Sequence, residues 1–161
     1  MAHIYSIVYQ PIDREYGESL QDYIRVPIKS ARLIADHGIE GDQKAGHNPV
    51  RQLNLLSNEW LQSIQSKGYR TKPGQFGEQV ILQGLSFEGL VPGTRLQLGN
   101  EAIIEIIKRR NGCDRLELAQ GKSIASIGPI GVLAKIVVGG MINIGDPIVV
   151  LESVPQMADS I

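Results

Sequence analysis

The stretch TRLQLGNEAIIEIIKRRNGC, residues 94–113, carries the pattern on which the fold prediction depends. In its first part Leu96 and Leu98 alternate with polar residues, which is typical of a strand with one buried face. A second apolar and β-branched run follows at 101–107, and Gly99-Asn100 between the two runs is typical of a tight hairpin turn. The stretch therefore predicts two antiparallel strands, the second of which ends shortly before a cysteine.

Short β-branched runs separated by glycine continue along the rest of the chain. Glycine makes up 18 of 161 residues, which is about 11% against a usual share of roughly 7%. Short strands with frequent turns are typical of a β-barrel or a sandwich. The predicted strands are residues 3–9, 27–35, 51–56, 79–82, 94–98, 101–107, 132–138 and 147–152.

Two short helices complete the prediction. Ser57 is a good N-cap for a helix that places Trp60, Leu61 and Ile64 on one face, and Gly68 is expected to end it. A shorter helix is expected near 115–120. Residues 10–22 are predicted to form a loop, and the end after Ser153 is expected to fray. The fold class is therefore all-β, a barrel or sandwich with one or two short helices, in one domain over residues 1–161.

Composition excludes several classes of protein. Lys and Arg number 16 against 17 Asp and Glu, a net charge of −1, whereas a general nucleic-acid binder shows a basic excess. No apolar run reaches the length of about 18 residues that a membrane span needs, and the start MAHIYSIVYQ does not resemble a signal peptide. A single cysteine excludes an intramolecular disulfide. We therefore expect a cytoplasmic protein without nucleic-acid or membrane partners.

The segment KRRNGCDR, residues 108–115, places the one thiol, Cys113, just beyond a predicted strand and among four cationic side chains. Cationic neighbours favour the thiolate, which is the reactive form, and arginines also bind phosphate through paired hydrogen bonds. The alternative is a small buried cysteine surrounded by solvated charges. Arg109 and Arg110 are adjacent on a strand, so their side chains are expected on opposite faces and not in one site.

Two other polar segments are weaker candidates when each is taken alone. The segment KPGQFGEQ, residues 72–79, allows close backbone approach to a ligand but lacks the ending of a phosphate-binding loop, and an ordinary glycine-rich turn explains it equally well. The segment GIEGDQKAGHNPVRQ, residues 38–52, suggests a turn stiffened by Asp42 and a polar loop around His47. The spacing of its histidine and acidic residues matches no standard zinc signature.

Taken in order, these segments resemble the MOSC domain, the module found at the C-terminus of molybdenum cofactor sulfurases and also as small stand-alone proteins. The resemblance covers residues 26–152 and depends on the ordered set rather than on any single motif. It implies a closed β-barrel with a few helices. The matching segments are GIEGD at 38–42, RQLNLL at 51–56, GQFGEQ at 74–79, GTRLQLGN at 93–100, the turn from Arg110 to Cys113, and AKIVVGGMINIGD at 134–146.

The resemblance implies that Cys113 is the functional centre, either as a persulfide carrier or as a molybdenum ligand. Position by position it also identifies Arg110, three residues before the cysteine, and Arg51, which opens the RQ strand. Glu78 and Gln79 match the family's Gly-Glu-Asn motif. Arg51, Arg110, Glu78 and Gln79 are therefore candidate contacts for the molybdenum cofactor, although Arg51 is equally well explained as a structural partner of an acidic residue.

Two positions depart from the family pattern. Gln79 replaces the usual asparagine and is longer by one methylene, so its hydrogen bond would be shifted. Gly112 replaces the proline that usually precedes the cysteine, and glycine permits many more backbone conformations. Asp146 matches the aspartate of the final Gly-Asp turn, where a structural role is expected.

Three functions are compatible with the resemblance. In the first, Cys113 carries a sulfane sulfur toward the molybdenum cofactor, bound transiently. No pyridoxal phosphate desulfurase segment is seen, so the sulfur would come from a separate donor such as a cysteine desulfurase, and the acceptor would be a molybdoenzyme. In the second, Cys113 ligates molybdenum in a reductase of N-hydroxylated compounds that needs an external redox partner. In the third, the barrel binds an anion or a protein without catalysis.

Overall fold

The computed structural model describes residues 1–12 and 25–151. The predicted loop at 10–22 is therefore described only for its first three residues, and the predicted frayed end lies outside the described residues. The strands are β1 His3–Tyr9, β2 Val26–Ile28, β3 Ser30–Ile34, β4 Gly38–Ile39, β5 Leu53–Ser57, β6 Val80–Gln83, β7 Arg95–Leu98, β8 Ala102–Arg109, β9 Val132–Val138, β10 Gly140–Asn143 and β11 Ile148–Val150, and the helices are α1 Asn58–Gln65 and α2 Asp114–Gln120, with a 3₁₀ turn at Phe87–Gly89.

The strands form two sheets, which confirms the all-β fold class. The larger sheet has eight strands in the order β11-β7-β8-β9-β5-β6-β1-β2, and the smaller has the order β10-β3-β4. The hairpin predicted around Gly99 joins β7 to β8, with Leu98 opposite Ala102. Neighbouring strands are antiparallel except β5 and β6, which run parallel.

The larger sheet curls into a half-barrel and is not fully closed, which corrects the expectation of a closed barrel. Its edge strands β2 and β11 are only three residues long and do not pair with each other. A bridge between His3 and Pro147 links β1 to the segment before β11, and the Ile4 amide donates to the Asp146 carbonyl at 3.0 Å beside it. Asp146 shapes that segment by accepting a hydrogen bond from the Asn143 amide at 2.8 Å, in agreement with a structural role.

The strand predicted at 27–35 is divided between the two sheets. Residues before Lys29 pair with β1, with Ile28 opposite Ile7, whereas residues after it pair with β10, with Ala31 opposite Ile142. The short strands β4 and β10 were not predicted, since each contains only a few residues and begins at a glycine.

Alternate residues of β5 and β6 supply two separate hydrophobic clusters. Leu55 and Val80 face the inner cluster, and Leu56 and Ile81 face the outer one. The outer cluster also contains Leu61 and Ile64 of α1, Leu116 of α2, and Phe76. Both helices therefore cover the outer face of the curled sheet, and the segment with the cysteine lies where β8 turns into α2.

The predicted helix cap is confirmed, because the Trp60 amide donates to the Ser57 hydroxyl at 3.2 Å. The helix ends at Gln65, with Gly68 in the turn that follows. In the part of the chain that the structure describes, no helix has both the length and the apolar character needed to cross a membrane.

Candidate functional site

Cys113 lies between β8 and α2, where it occupies the N-cap position of the helix in an extended backbone conformation. Its side chain is exposed and makes no capping hydrogen bond. Its carbonyl oxygen, in contrast, accepts from the Glu117 amide at 3.1 Å. The thiol is therefore accessible to solvent while the backbone that carries it is fixed by the first turn of the helix. The alternative of a buried cysteine is wrong.

The residues of the turn before Cys113 are hydrogen-bonded to the segment that precedes β9. The Arg110 amide donates to the Gly131 carbonyl at 3.1 Å, and the Ile130 amide donates to the Arg110 carbonyl at 2.7 Å. At Gly112 a Cβ atom would lie 1.8 Å from Cδ1 of Ile124. A larger residue at position 112 would therefore require the Ile124 side chain to move.

The side chain of Arg110 joins the turn to the glycine-rich segment at 74–79. Its Nη1 donates to the Phe76 carbonyl at 2.6 Å and approaches Oδ1 of Asn54 at 3.5 Å. Arg109 extends elsewhere, with Nη2 donating to the Glu88 carbonyl at 3.2 Å. The two arginine side chains therefore extend to different partners, as predicted from their adjacent positions.

Glu78 is buried inside the segment 74–79. One carboxylate oxygen accepts from the Gly74 amide at 2.5 Å and the other from the Phe76 amide at 3.1 Å. Burial raises the pKa of the Glu78 carboxyl to about 7, although these backbone hydrogen bonds and the nearby Arg110 charge oppose the increase. Both carboxylate oxygens of Glu78 therefore bind backbone amides of the loop at 74–79 itself.

Gln79 is also buried, and both ends of its amide are engaged inside the domain. Oε1 accepts from the Asn54 amide at 2.8 Å, and Nε2 donates to Asp42 at 2.9 Å. Asp42 is in turn bonded by the Gln10 amide at 3.1 Å. A contact of Glu78 or Gln79 with a cofactor stays a prediction, and in this structure their polar atoms are used to hold the fold.

Arg51 is exposed, and its guanidinium has no hydrogen-bond or ion-pair partner among residues 1–12 and 25–151. It pairs with neither Asp42 nor Glu78, so the expectation of a structural ion pair is wrong. Leu55 of β5 and Arg109 of β8 both pair with Val132 of β9, so they lie at the same level of the sheet. Arg51 precedes Leu55 by four residues, which is roughly 13 Å of extended chain at about 3.3 Å per residue. The structure thus places Arg51 at some distance along the sheet from the turn that carries Cys113.

Asn54 is the residue of this network that the sequence analysis missed. It contacts the Arg110 guanidinium, donates to the Gly77 carbonyl at 3.3 Å, and bonds Gln79 through its backbone. Its signal in the sequence is a single amide in the apolar run LNLL at 53–56. The 38–52, 74–79 and 108–115 segments are consequently parts of one hydrogen-bonded network that ends at the cysteine turn.

Comparisons with known proteins identify the family of this chain and structures with a similar fold. The family model for the MOSC domain matches residues 42–149. YiiM from Escherichia coli has a similar structure, with a TM-score of 0.68 and 20% identity over 97% of this chain and 72% of that chain. YuaD from Bacillus subtilis has a TM-score of 0.67 and 17% identity over 92% and 94% of the two chains.

YiiM from Geobacillus stearothermophilus is also similar, with a TM-score of 0.65 and 19% identity over 94% of this chain and 76% of that chain. The comparison with curated proteins gave no match. At these identities the solved structures support the fold, and the family model, which matches well over half of the chain, supports the family. This chain is therefore a member of the MOSC domain family, a domain family related to the molybdenum cofactor.

Proposed function

We propose that this protein is a sulfur carrier, in which Cys113 takes up a sulfane sulfur as a persulfide and delivers it to the molybdenum cofactor of an acceptor protein. The observation that carries the proposal is the exposed thiol of Cys113 on a turn whose backbone is fixed from both sides. A carrier must present its sulfur to two different macromolecules in succession. An exposed side chain on an anchored backbone meets that requirement.

The loading step needs no oxidant beyond the donor persulfide itself. The Cys113 thiolate attacks the terminal sulfur of the donor, a new S–S bond forms at Cys113, and the donor's S–S bond breaks. The electron pair of the broken bond leaves with the donor thiolate, and the proton on the terminal sulfur is retained. We propose a cysteine desulfurase as the donor, since its own persulfide supplies the required sulfane sulfur.

Two cationic side chains beside the turn support the delivery step. Exposed Lys108 lies at the end of β8, and half-buried Arg115 follows in the first turn of α2. These positive charges favour approach of an anionic acceptor group to the sulfur.

The residues present fit the molybdenum cofactor as a transient acceptor better than as a resident group. A thiolate is a suitable soft ligand for molybdenum, and Cys113 supplies one at the surface. The buried polar side chains of Glu78 and Gln79 are bonded internally, so they do not form a cradle around a bound pterin. The residues that would meet the cofactor are Cys113 and the cationic side chains beside it.

The first experiment measures sulfur loading by intact-protein mass after incubation with a cysteine desulfurase and cysteine. The wild type is expected to gain the mass of one sulfur atom, which a reductant removes, and Cys113→Ser is expected to gain none. Because the chain has one cysteine, a matched control is the double variant Cys113→Ser with Ser126→Cys, which moves the thiol to another exposed loop position. Loading there is expected to be slower by about tenfold or more, and equal loading would contradict a dedicated carrier site.

A second measurement separates the carrier from a stable molybdenum protein. The wild type and Cys113→Ser are purified from a host that makes the molybdenum cofactor, and the metal content per chain is determined. A carrier is expected to contain far less than one molybdenum per chain in both proteins. Near-stoichiometric metal that disappears in the variant would instead identify Cys113 as a permanent ligand.

A further inference from the structure

A cavity of about 540 Å³ lies beside the end of β8, and Cys113 is not among its lining residues. It is bounded by the start of α1, the segment that follows β6, the end of β8 and residues 127–131. Its volume falls within the range of roughly 300–1,000 Å³ that is typical of small-molecule sites. None of the segments quoted in the family resemblance accounts for this cavity.

The walls of the cavity are fixed by both hydrophobic clusters. Phe87 and Leu85 pack against the inner cluster. Ile127 belongs to the outer cluster, and Trp60 packs against it. The Trp60 ring is further held by Phe76, with centroids 5.4 Å apart and an interplanar angle of 72°. Two aromatic side chains and aliphatic walls that are already in place favour a flat, apolar ring as the ligand.

Arg109 supplies the polar end of the cavity. Its Nη2 donates to the Glu88 carbonyl at 3.2 Å, and its Nε and Nη1 have no partner in the part of the chain that the structure describes. The other charged group near α1, Glu59, is already engaged by the Gly84 amide at 2.8 Å and faces the Ser57 hydroxyl at 3.5 Å. The charged donors open to a ligand are therefore those of one guanidinium, which pairs with a carboxylate or a phosphate.

Glu88 limits the charge that the site accepts. Glu88 also lines the cavity, and its carboxylate has no hydrogen-bond or ion-pair partner among residues 1–12 and 25–151. A ligand with several phosphates would meet this negative charge as well as Arg109. The arrangement favours a ligand with one anionic group.

We propose that the cavity between Trp60, Phe87 and Arg109 binds a flat aromatic molecule that carries one anionic group. The ring lies among the aromatic and aliphatic walls, and the carboxylate or phosphate pairs with the free edge of the Arg109 guanidinium. This site is independent of the sulfur-carrier proposal, because Cys113 does not contribute to it.

Trp60 is the only tryptophan of the chain, so its fluorescence reports directly on occupancy of the cavity. The probes are nicotinate and adenosine 5′-monophosphate, which carry a ring and an anionic group of two different kinds. Their controls are nicotinamide and adenosine, which keep the ring, and inorganic phosphate, which keeps the anion. At least one anionic aromatic probe is expected to change the fluorescence saturably, about tenfold more tightly than its neutral counterpart or phosphate. The probe that binds identifies whether a carboxylate or a phosphate is preferred.

Two charge variants test the role assigned to the guanidinium. Arg109→Gln is expected to weaken binding of the anionic probe by about tenfold. Lys108→Gln makes a similar charge change one residue away, outside the cavity lining, and is expected to bind like the wild type. Cys113→Ser is also expected to bind unchanged, so failure of sulfur loading and failure of this site are distinguishable. Absence of saturable binding, equal affinity for the neutral probes, or an unaffected Arg109→Gln variant would overturn the proposal.

Discussion

Arg110 is hydrogen-bonded to Phe76, with Nη1 lying 2.6 Å from the carbonyl oxygen of a residue 34 positions earlier in the chain. This bond connects the turn that carries Cys113 to the loop formed around Glu78. It satisfies a carbonyl oxygen with a charged donor, which is a stronger interaction than a neutral hydrogen bond. The segment 108–115, which holds the thiol, is thus joined to the glycine-rich segment 74–79 by this hydrogen bond.

Replacement of Arg110 by Gln is expected to destabilise the protein by about 1.5–3 kcal/mol, the usual contribution of a hydrogen bond with a charged partner. The measurement is the free energy of unfolding in urea at neutral pH. Arg109→Gln is the matched control, since Arg109 is exposed and bonded to a single surface carbonyl, and its change is expected to stay within about 0.5 kcal/mol. Equal effects of the two variants would show that the link to Phe76 contributes little.

Glu78 is expected to make stability depend on pH between about 4.5 and about 7. Its carboxyl has a pKa of about 7 in the folded protein, raised by burial from 4.5. The folded state therefore keeps the proton where the unfolded chain has lost it. The contribution of Glu78 to the free energy of unfolding is fully present below pH 4.5 and is lost as the pH rises through 7. The total loss is expected to be about 3 kcal/mol.

Glu78→Gln isolates that contribution, because it cannot ionise. The variant presents an amide N–H group toward Gly74 or Phe76, both of which already donate, so we expect it to be less stable than the wild type at pH 5. The difference in unfolding free energy between the two proteins is expected to narrow by pH 8. A difference that stays constant between pH 5 and pH 8 would contradict a raised pKa at this position.

The fold was largely predictable because local signals were consistent with tertiary packing. Strand alternation around Leu96 and Leu98, the glycine turn at 99, and the Ser57 cap each correspond to an observed element. The division of the strand at Lys29 was not predictable, since both halves have the same apolar pattern and only pairing with β1 or β10 distinguishes them.

The place of Cys113 in a turn after β8 was predictable, whereas the contacts of the other candidate residues were not. A lone cysteine among arginines pointed to residue 113, whereas the sequence contained no sign that Arg110 and Arg51 lie at different levels of the sheet. The exposure of Arg51 and the burial of Glu78 depend on contacts between residues far apart in the chain. Local pattern does not contain that information.

Gly112→Ala is expected to destabilise the protein by about 1 kcal/mol, the low end for overpacking, because the atom in conflict is the end of a flexible side chain. The new Cβ would lie 1.8 Å from Cδ1 of Ile124, so that side chain must move. Adding Ile124→Val removes the atom in conflict, and the double variant is expected to recover most of the loss. A double-mutant cycle of unfolding free energies measures this coupling, and simple additivity would contradict the packing explanation.

Gln79→Asn restores the residue that the family usually has, and we expect it to destabilise this protein. The shorter side chain cannot reach both the Asn54 amide and Asp42, which are now bonded at 2.8 Å and 2.9 Å. Each buried group left without a partner costs about 1–3 kcal/mol. Gln62→Asn on the exposed face of α1 makes the same chemical change, and its cost is expected to be a few tenths of a kcal/mol from helix propensity. If Gln79→Asn instead unfolds like the wild type and is impaired only in sulfur delivery, Gln79 contacts the acceptor group and not the fold.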